Sequence, residues 1–289
     1  MQTQSGKAYA KINLTLDIKG KREDGYHLIE TVMQTISLYD LILIRPAAKA
    51  GVQLRCNLPY VPCDSRNIAW KAADAFYKLT GRREHIVIEL QKRIPVGAGM
   101  AGGSTDAAMV LRLLNRRYRS PLTEEQLYAL GLSLGADVPF CLMGGCAVAT
   151  GIGEQLTAVK GMPKECFLVV CKPRFSISTA QLYQRMDAVE PSVHPDAAAM
   201  IGALETGDLK KIAAQMGNVM EAAAIPEKPQ IAEIRDKLLA NGALGAMMTG
   251  SGSAVYGIFS SKKQAEAARD CFRGSGIFSA VARPVGAEA

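Results

Sequence analysis

Residues 95–108 read Pro-Val-Gly-Ala-Gly-Met-Ala-Gly-Gly-Ser-Thr-Asp-Ala-Ala, and no regular element accommodates the glycines of this run. Gly97, Gly99, Gly102 and Gly103 each cost backbone entropy and bring no packing surface. Residues 107–114 then place apolar side chains at helical spacing among good helix formers. The stretch reads as a glycine loop that feeds a helix N-terminus. Such a junction aims unpaired N–H groups and the positive end of a helix dipole at one spot, which suits a phosphate. The bland alternative is a flexible loop before a helix capped by Ser104, Thr105 or Asp106. Two features favour phosphate. Residues 89–94 form a strand-like stretch that ends in Lys92 and Arg93 before Ile94. The run also lacks the Gly-Lys-Ser/Thr ending of a P-loop and the spacing of a Rossmann fingerprint, so a cradle of another design is expected.

The chain has 289 residues, enough for one large or two ordinary domains, and 48% of them are apolar, enough for a sizeable core. No apolar run approaches the ~20 residues that cross a bilayer, and the polar N-terminus has no signal-peptide pattern, so a cytoplasmic protein without membrane contact is expected. The seven cysteines are scattered without a Cys-x-x-Cys pair, and the three histidines lie far apart, which argues for reduced thiols and against zinc. The net charge of +7 is spread along the chain, with one dense patch at Arg112, Arg116, Arg117 and Arg119. Few aromatic residues interleave with that patch. An anionic small molecule is therefore a simpler partner than nucleic acid.

Along the chain, residues 7–18 alternate, with Lys11, Asn13, Thr15 and Asp17 on one face and Ile12, Leu14, Leu16 and Ile18 on the other, as in a half-buried strand. Residues 19–25 form a charged glycine turn. Tyr26 and His27 reopen an ordered segment, and residues 28–37 and 38–44 read as two strands. The Tyr-His pair fits plain packing, or stacking on a ring. Residues 68–80 are an amphipathic helix with Gly81 as its C-cap, and residues 86–90 a strand. A helix starts after Thr123, with Gln126 in the capping-box place, and runs to about Leu134. Asp137 then stands among Ala136, Val138, Pro139 and Phe140. It is equally a cap for a short helix or a working acid. Strands are expected at 146–150 and 167–171, and helices at 179–185, 196–204, 208–222 and 230–240. Residues 242–259 read as strand, glycine turn, strand, before a helix at 262–272 and a strand at 278–284. The mixture is α+β, with a second domain starting near residue 160.

Three segments, residues 10–14, 95–108 and 248–256, occur together in an order that resembles the GHMP kinase superfamily, named for galactokinase, homoserine kinase, mevalonate kinase and phosphomevalonate kinase. Arg22-x-Asp24-Gly25-Tyr26-His27 and Leu134-Gly135-Ala136-Asp137-Val138-Pro139-Phe140 bring it nearest the branch that acts on a cytidine diphosphate-linked methylerythritol. The resemblance spans essentially the whole chain. It implies an N-terminal domain like ribosomal protein S5 domain 2 over residues 1–160 and a ferredoxin-like domain over 161–289. It implies phosphorylation of the substrate's 2-hydroxyl by ATP with Mg²⁺, the metal's ligands remaining unassigned. On this resemblance Pro95, Val96, Gly97, Ala98, Gly99, Met100, Ala101, Gly102, Gly103, Ser104 and Thr105 cradle the ATP phosphates. Asp137 takes the hydroxyl proton, and Lys11 is its cationic neighbour. Asn13, Tyr26 and His27 hold the substrate, the last two at the cytosine. Thr179 and Tyr183 form its far wall, with Tyr183 completing an aromatic sandwich with Tyr26. The superfamily's loop commonly closes on Ser-Ser-Asn-Ala-Ala. Asp106 departs from this and is expected to bring a negative charge near bound phosphate. The alternatives are another superfamily kinase, of homoserine or mevalonate type, and a non-catalytic nucleotide-binding protein on the same scaffold.

Overall fold

The computed structural model describes residues 3–82 and 85–287. Its elements, in chain order, are β1 (Gln4–Lys21), β2 (His27–Pro46), β3 (Val52–Cys56), α1 (Ile68–Thr80), β4 (Ile86–Gln91), α2 (Gly102–Arg117), α3 (Glu124–Leu134) and α4 (Val138–Met143). There follow β5 (Cys146–Thr150), β6 (Gln155–Ala158), β7 (Phe167–Lys172), α5 (Thr179–Met186), α6 (Ala197–Thr206), α7 (Leu209–Ala214) and β8 (Gly217–Asn218). The chain closes with α8 (Glu221–Glu227), α9 (Gln230–Ala240), β9 (Gly245–Met248), β10 (Val255–Phe259), α10 (Lys262–Asp270) and β11 (Phe278–Ala282).

Two compact units alternate along the chain. One comprises Met1–Ala10, Leu38–Ile94 and Ala101–Met143; the other comprises Lys11–Ser37, Pro95–Met100 and Gly144–Ala289. These units cut across the single division near residue 160 inferred from sequence. The long strands β1 and β2 contribute to both.

In the first unit β3 pairs in parallel with β4, and β4 pairs antiparallel with residues 41–46 of β2. Ile42, Ile44, Ile86 and Ile88 are fully buried beneath α1 and α2, which contribute Ala69, Ala73 and Phe76 and Ala107, Leu111 and Leu114. The helix ends follow their local chemistry. Asn67 caps α1 by accepting from the Ala69 N–H at 2.9 Å, and Gly81 ends it at φ 66°. Thr123 and Gln126 complete a reciprocal capping box on α3.

In the second unit β7 is flanked by β11 and β10, and β10 by β9, all antiparallel. Val169, Cys171, Val255 and Phe259 bury one face of this sheet with Ile231, Ile234 and Leu238 of α9 and Ala265 and Ala268 of α10. Residues 31–34 of β2 pair with β5, and β5 with β6.

The structure corrects four readings of the pattern. Residues 28–44 form one strand: at Ser37, where a break was expected, the N–H donates to the Arg283 carbonyl at 2.8 Å and the hydroxyl accepts from the Arg283 N–H at 2.9 Å. The helix expected over 208–222 is broken at Gly217–Asn218, which pair in parallel with Thr15 and Leu16 of β1. β3 and β6 carry no strong pattern of their own. Gly102 and Gly103 are helical, forming the first turn of α2, so the loop ends at Ala101.

Candidate active site

The loop of residues 95–101 owes its path to three left-handed positions, Gly97 (φ 65°), Gly99 (φ 72°) and Ala101 (φ 55°). Ala98 and Met100 are buried anchors, whereas Val96 and Gly97 are exposed. The Ala98 carbonyl accepts from the Ala254 N–H at 3.3 Å, and the Met100 carbonyl from the Lys11 N–H at 3.3 Å. A side chain at Gly99 would run into the Thr249 carbonyl and Gly252, so glycine is required there twice over, by φ and by space. The first helical hydrogen bond of α2 runs from the Thr105 N–H to the Ala101 carbonyl at 2.8 Å. The N–H groups of Gly102, Gly103 and Ser104 precede that ladder and lack helical partners. Among the described residues none bonds to the Ser104 hydroxyl. This junction fits a phosphate group: it offers amide donors, a hydroxyl and the dipole's positive end, with no Cβ over Gly103. Thr105 is turned inward, buried, with its hydroxyl donating to the Tyr9 carbonyl at 2.7 Å.

The Asp106 carboxyl is buried and paired, where the sequence suggested a bare charge. It is 3% exposed and takes an ion pair from Lys92 at 2.7 Å. Lys92 is also paired with Asp40 and donates to the Gly102 carbonyl at 3.1 Å. Asp40 accepts the Arg93 and Ile94 N–H groups at 2.5 and 2.9 Å. Burial pushes the Asp106 carboxyl up to about 8, against the pull of Lys92.

Lys11 and Asn13 occupy adjacent same-face positions of β1, as the alternation implies, and both are buried. The Lys11 ammonium donates to Asn13 Oδ1 at 2.8 Å, and Asn13 Nδ2 donates to Thr31 Oγ1 at 2.8 Å. The Thr249 hydroxyl accepts from the Asn13 N–H at 3.0 Å and donates to Asn13 Oδ1 at 3.3 Å. Both ends of the Asn13 amide are thus engaged by protein groups. Thr249 opens the turn 249–253. Asn218 Nδ2 grips that turn through the Met248 and Gly250 carbonyls, at 2.9 and 2.8 Å. Glu221 holds the Met248 N–H at 2.8 Å, and burial raises its pKa.

In the same unit His27 stacks on Tyr183, with ring centroids 4.8 Å apart and planes at 22°. The ring that lies on Tyr183 is His27, a pairing the sequence did not suggest. His27 Nε2 meets Asp187 Oδ1 at 2.7 Å, and Lys21 pairs with the other Asp187 oxygen at 2.6 Å. These hydrogen bonds, Lys21's first, hold the Asp187 carboxyl below its usual range. Tyr26 is 61% exposed, an uncommon surface for so large a ring. Thr179 bonds Ser251 Oγ at 2.8 Å, tying the start of α5 to the glycine turn.

Asp137 belongs to the first unit. It is half-buried at the start of α4, where its carbonyl accepts from the Cys141 N–H at 3.1 Å. The first unit thus brings together Thr105, Gly102 and the Lys92 cluster. The second brings together Lys11, Asn13 and the 249–253 turn, to which Thr179 is bonded, and brings His27 onto Tyr183. Asp40, Asn218, Glu221 and Asp187 escaped the sequence reading. Two signals pointed to the first two: an acid inside the apolar run 38–44, and a Gly-Asn step interrupting an alanine-rich helix.

The architecture and the glycine loop define a GHMP-type kinase scaffold. The family model of the GHMP kinases N terminal domain matches residues 67–145, and that of the GHMP kinases C terminal matches residues 200–277. The 4-diphosphocytidyl-2-C-methyl-D-erythritol kinase of Clostridium kluyveri is 44% identical over 264 residues, covering 91% of this chain and 94% of its own. That of Caldicellulosiruptor saccharolyticus is 44% identical over 264 residues, covering 91% of each chain. A crystal structure of a 4-(cytidine 5'-diphospho)-2C-methyl-D-erythritol kinase superposes with a TM-score of 0.81 at 33% identity, over 97% of this chain and 99% of that one. A homoserine kinase from Cytophaga hutchinsonii shares the fold, with a TM-score of 0.77 at 18% identity over 99% and 96% of the two chains. The chain belongs to the GHMP kinases and, within them, to the 4-diphosphocytidyl-2-C-methyl-D-erythritol kinase family.

Proposed function

We propose that this protein transfers the γ-phosphoryl group of ATP to the 2-hydroxyl of 4-diphosphocytidyl-2-C-methyl-D-erythritol, an intermediate of non-mevalonate isoprenoid synthesis. The observation that carries this reading is the likeness to the curated kinases along nearly the whole chain. The geometry of the glycine loop supports it. Phosphoryl transfer asks a protein for positioning and charge neutralisation more than for covalent chemistry. The amides of Gly102, Gly103 and Ser104 at the N-terminus of α2 supply donors for the phosphate oxygens.

In this account residues 95–105 hold the triphosphate. Asp137 accepts the hydroxyl proton as the oxygen attacks. Lys11, fixed by Asn13, counters the negative charge growing at that oxygen. Asn13 serves the substrate through Lys11, since its own amide is engaged. Tyr26 offers its exposed face to the cytosine, His27 presents the ring edge that Asp187 leaves open, and Thr179 and Tyr183 bound the far side. Among the described residues no group of three or more His, Cys, Asp or Glu could hold a metal ion. Mg²⁺ brought by the nucleotide would supply charge neutralisation at the phosphates, beside the amides of α2. Among the described residues no helix is long and apolar enough to cross a membrane.

The test is a panel. Purified protein, Mg-ATP and one alcohol at a time (4-diphosphocytidyl-2-C-methyl-D-erythritol, homoserine or mevalonate) are mixed and ADP is measured. Turnover with the cytidylyl compound alone is expected. Turnover with homoserine or mevalonate alone overturns the substrate assignment, and nucleotide binding without ADP under any condition overturns the kinase assignment.

A further inference from the structure

The buried cluster of Asp40, Lys92 and Asp106 makes no use of its charges at the surface, and it spans three elements, β2, the residue after β4, and α2. Its hydrogen bonds end on the two flanks of the glycine loop. On the incoming side Asp40 Oδ1 takes the N–H groups of Arg93 and Ile94. On the outgoing side the Lys92 ammonium holds the Gly102 carbonyl. Asn57 fixes the Lys92 backbone from both sides, accepting its N–H at 2.8 Å and donating to its carbonyl at 3.2 Å. The residues before and after the loop, Arg93 and Ile94 on one side and Gly102 on the other, are thus bonded to one cluster.

The donor count divides the two acids. Asp40 receives two backbone N–H groups and Lys92. Among the described residues Asp106 accepts from Lys92 through Oδ2, its buried Oδ1 has no donor, and the Asp40 carboxyl lies close enough to share a proton with it. Two carboxylates around one ammonium would leave a net negative charge buried under the first turn of α2. One proton on the poorly solvated acid removes it.

We propose that the Asp40–Lys92–Asp106 triad is the positioning device of the glycine loop, with Asp106 serving as a neutral acid. In that form the triad carries no net charge, and the dipole and amides of α2 stay available to an incoming polyanion. Ionised, Asp106 sets a negative charge in the second turn of the same helix and opposes the phosphates. The titratable groups that face Asp106 are Lys92 and Asp40, with the Cys56 thiol on β3 within electrostatic reach of both Lys92 and Asp106. Burial holds the Asp106 carboxyl protonated up to about pH 8, which places the change inside an accessible range.

The inference rests on the assignment of residues 95–105 to the ATP phosphates, and its test is direct ATP binding, with excess Mg²⁺ and no acceptor, from pH 6.5 to 9.5. Wild-type protein is compared with Asp106→Asn, which copies the shape of the protonated acid and cannot ionise. The wild-type Kd is expected to weaken about fivefold or more between pH 7 and 9, the ordinary size of coupling between two sites, while that of Asp106→Asn stays level. Lys92→Met is expected to weaken ATP binding about tenfold at every pH. Coincident pH profiles for wild type and Asp106→Asn, with ATP still bound, overturn the role given to the triad. Absence of ATP binding by folded wild-type protein overturns the phosphate assignment and the triad's role together.

Discussion

Asn13 holds the Lys11 ammonium at 2.8 Å through the same oxygen that accepts the Thr249 hydroxyl, and its amide nitrogen is committed to Thr31. An asparagine two residues from a lysine on one strand face looks like a second substrate contact in the sequence. In the fold it is the lysine's fixture. Asn13→Ala removes that fixture and leaves Thr31 and Thr249 short of partners in a site that is 1% exposed. A loss of about 1–3 kcal/mol in denaturant unfolding is expected. The same variant should lower kcat more than it raises KM for either substrate. An unchanged kcat would mean that Lys11 needs no anchor.

The glycine loop separates two kinds of glycine. Gly99→Ala forces a side chain into φ 72° and against Thr249 and Gly252. It should raise KM for ATP by an order of magnitude or more. Gly103→Ala lies in regular helix and meets only Ile68 Cγ2 at 3.3 Å, so steady-state kinetics should show a far smaller change. Ala101→Gly relieves a left-handed alanine and should stabilise the fold by about 1 kcal/mol in thermal or denaturant melts.

Much of this architecture was legible because its signals are local. The Asn67 and Gly81 caps of α1, the Thr123–Gln126 box of α3 and the alternation along β1 are each written within a few residues. The glycine loop and its helix are equally local. The illegible parts are bonds between distant positions. Alternation over residues 7–18 shows which side chains share a face, yet not that Asn13 meets Thr249 across 236 positions. The Lys92 triad joins residues 40, 92 and 106: the lysine stood out as a cation before the loop and Asp106 as a charge near phosphate, whereas Asp40 and the pairing of the three did not. Gly217–Asn218 was hidden because an alanine-rich surround favours helix, whereas pairing with β1 and the grip of Asn218 on residues 248 and 250 outweigh that propensity.

That grip yields its own prediction. Asn218→Ala leaves the Met248 and Gly250 carbonyls without their donor behind the turn that abuts Gly99. Unfolding stability should fall by about 1–3 kcal/mol, and KM for ATP should rise although no nucleotide contact is removed. A KM equal to wild type would show that the turn keeps its place unaided.

Linkage at Asp106 has a definite sign. Its carboxyl is held up to about 8 in the fold against an ordinary 3.8. Between these values the folded state binds the proton and the unfolded chain does not, so this residue's contribution to stability declines as pH rises from about 4 to about 8, and is level above. Asp106→Asn removes the decline. Denaturant melts of both proteins at pH 5 and pH 8 should show a smaller drop for the variant, and equal drops would contradict the assignment.

Thiol reactivity follows burial. Burial pushes the thiols of Cys146, Cys166 and Cys171 up to about 12, while Cys63 and Cys271 are exposed. A chromogenic thiol reagent on native protein should consume Cys63 and Cys271 first. The three buried thiols should react only after unfolding. Mass mapping of the labelled peptides checks the order.

The proposed role of Asp137 as proton acceptor is tested most directly by ADP release from Mg-ATP and 4-diphosphocytidyl-2-C-methyl-D-erythritol, measured for wild type and a folded Asp137→Asn variant alongside ATP affinity. A fall in kcat of about 10²–10⁴ with ATP binding retained is the predicted result. Turnover equal to wild type in the folded variant would contradict it.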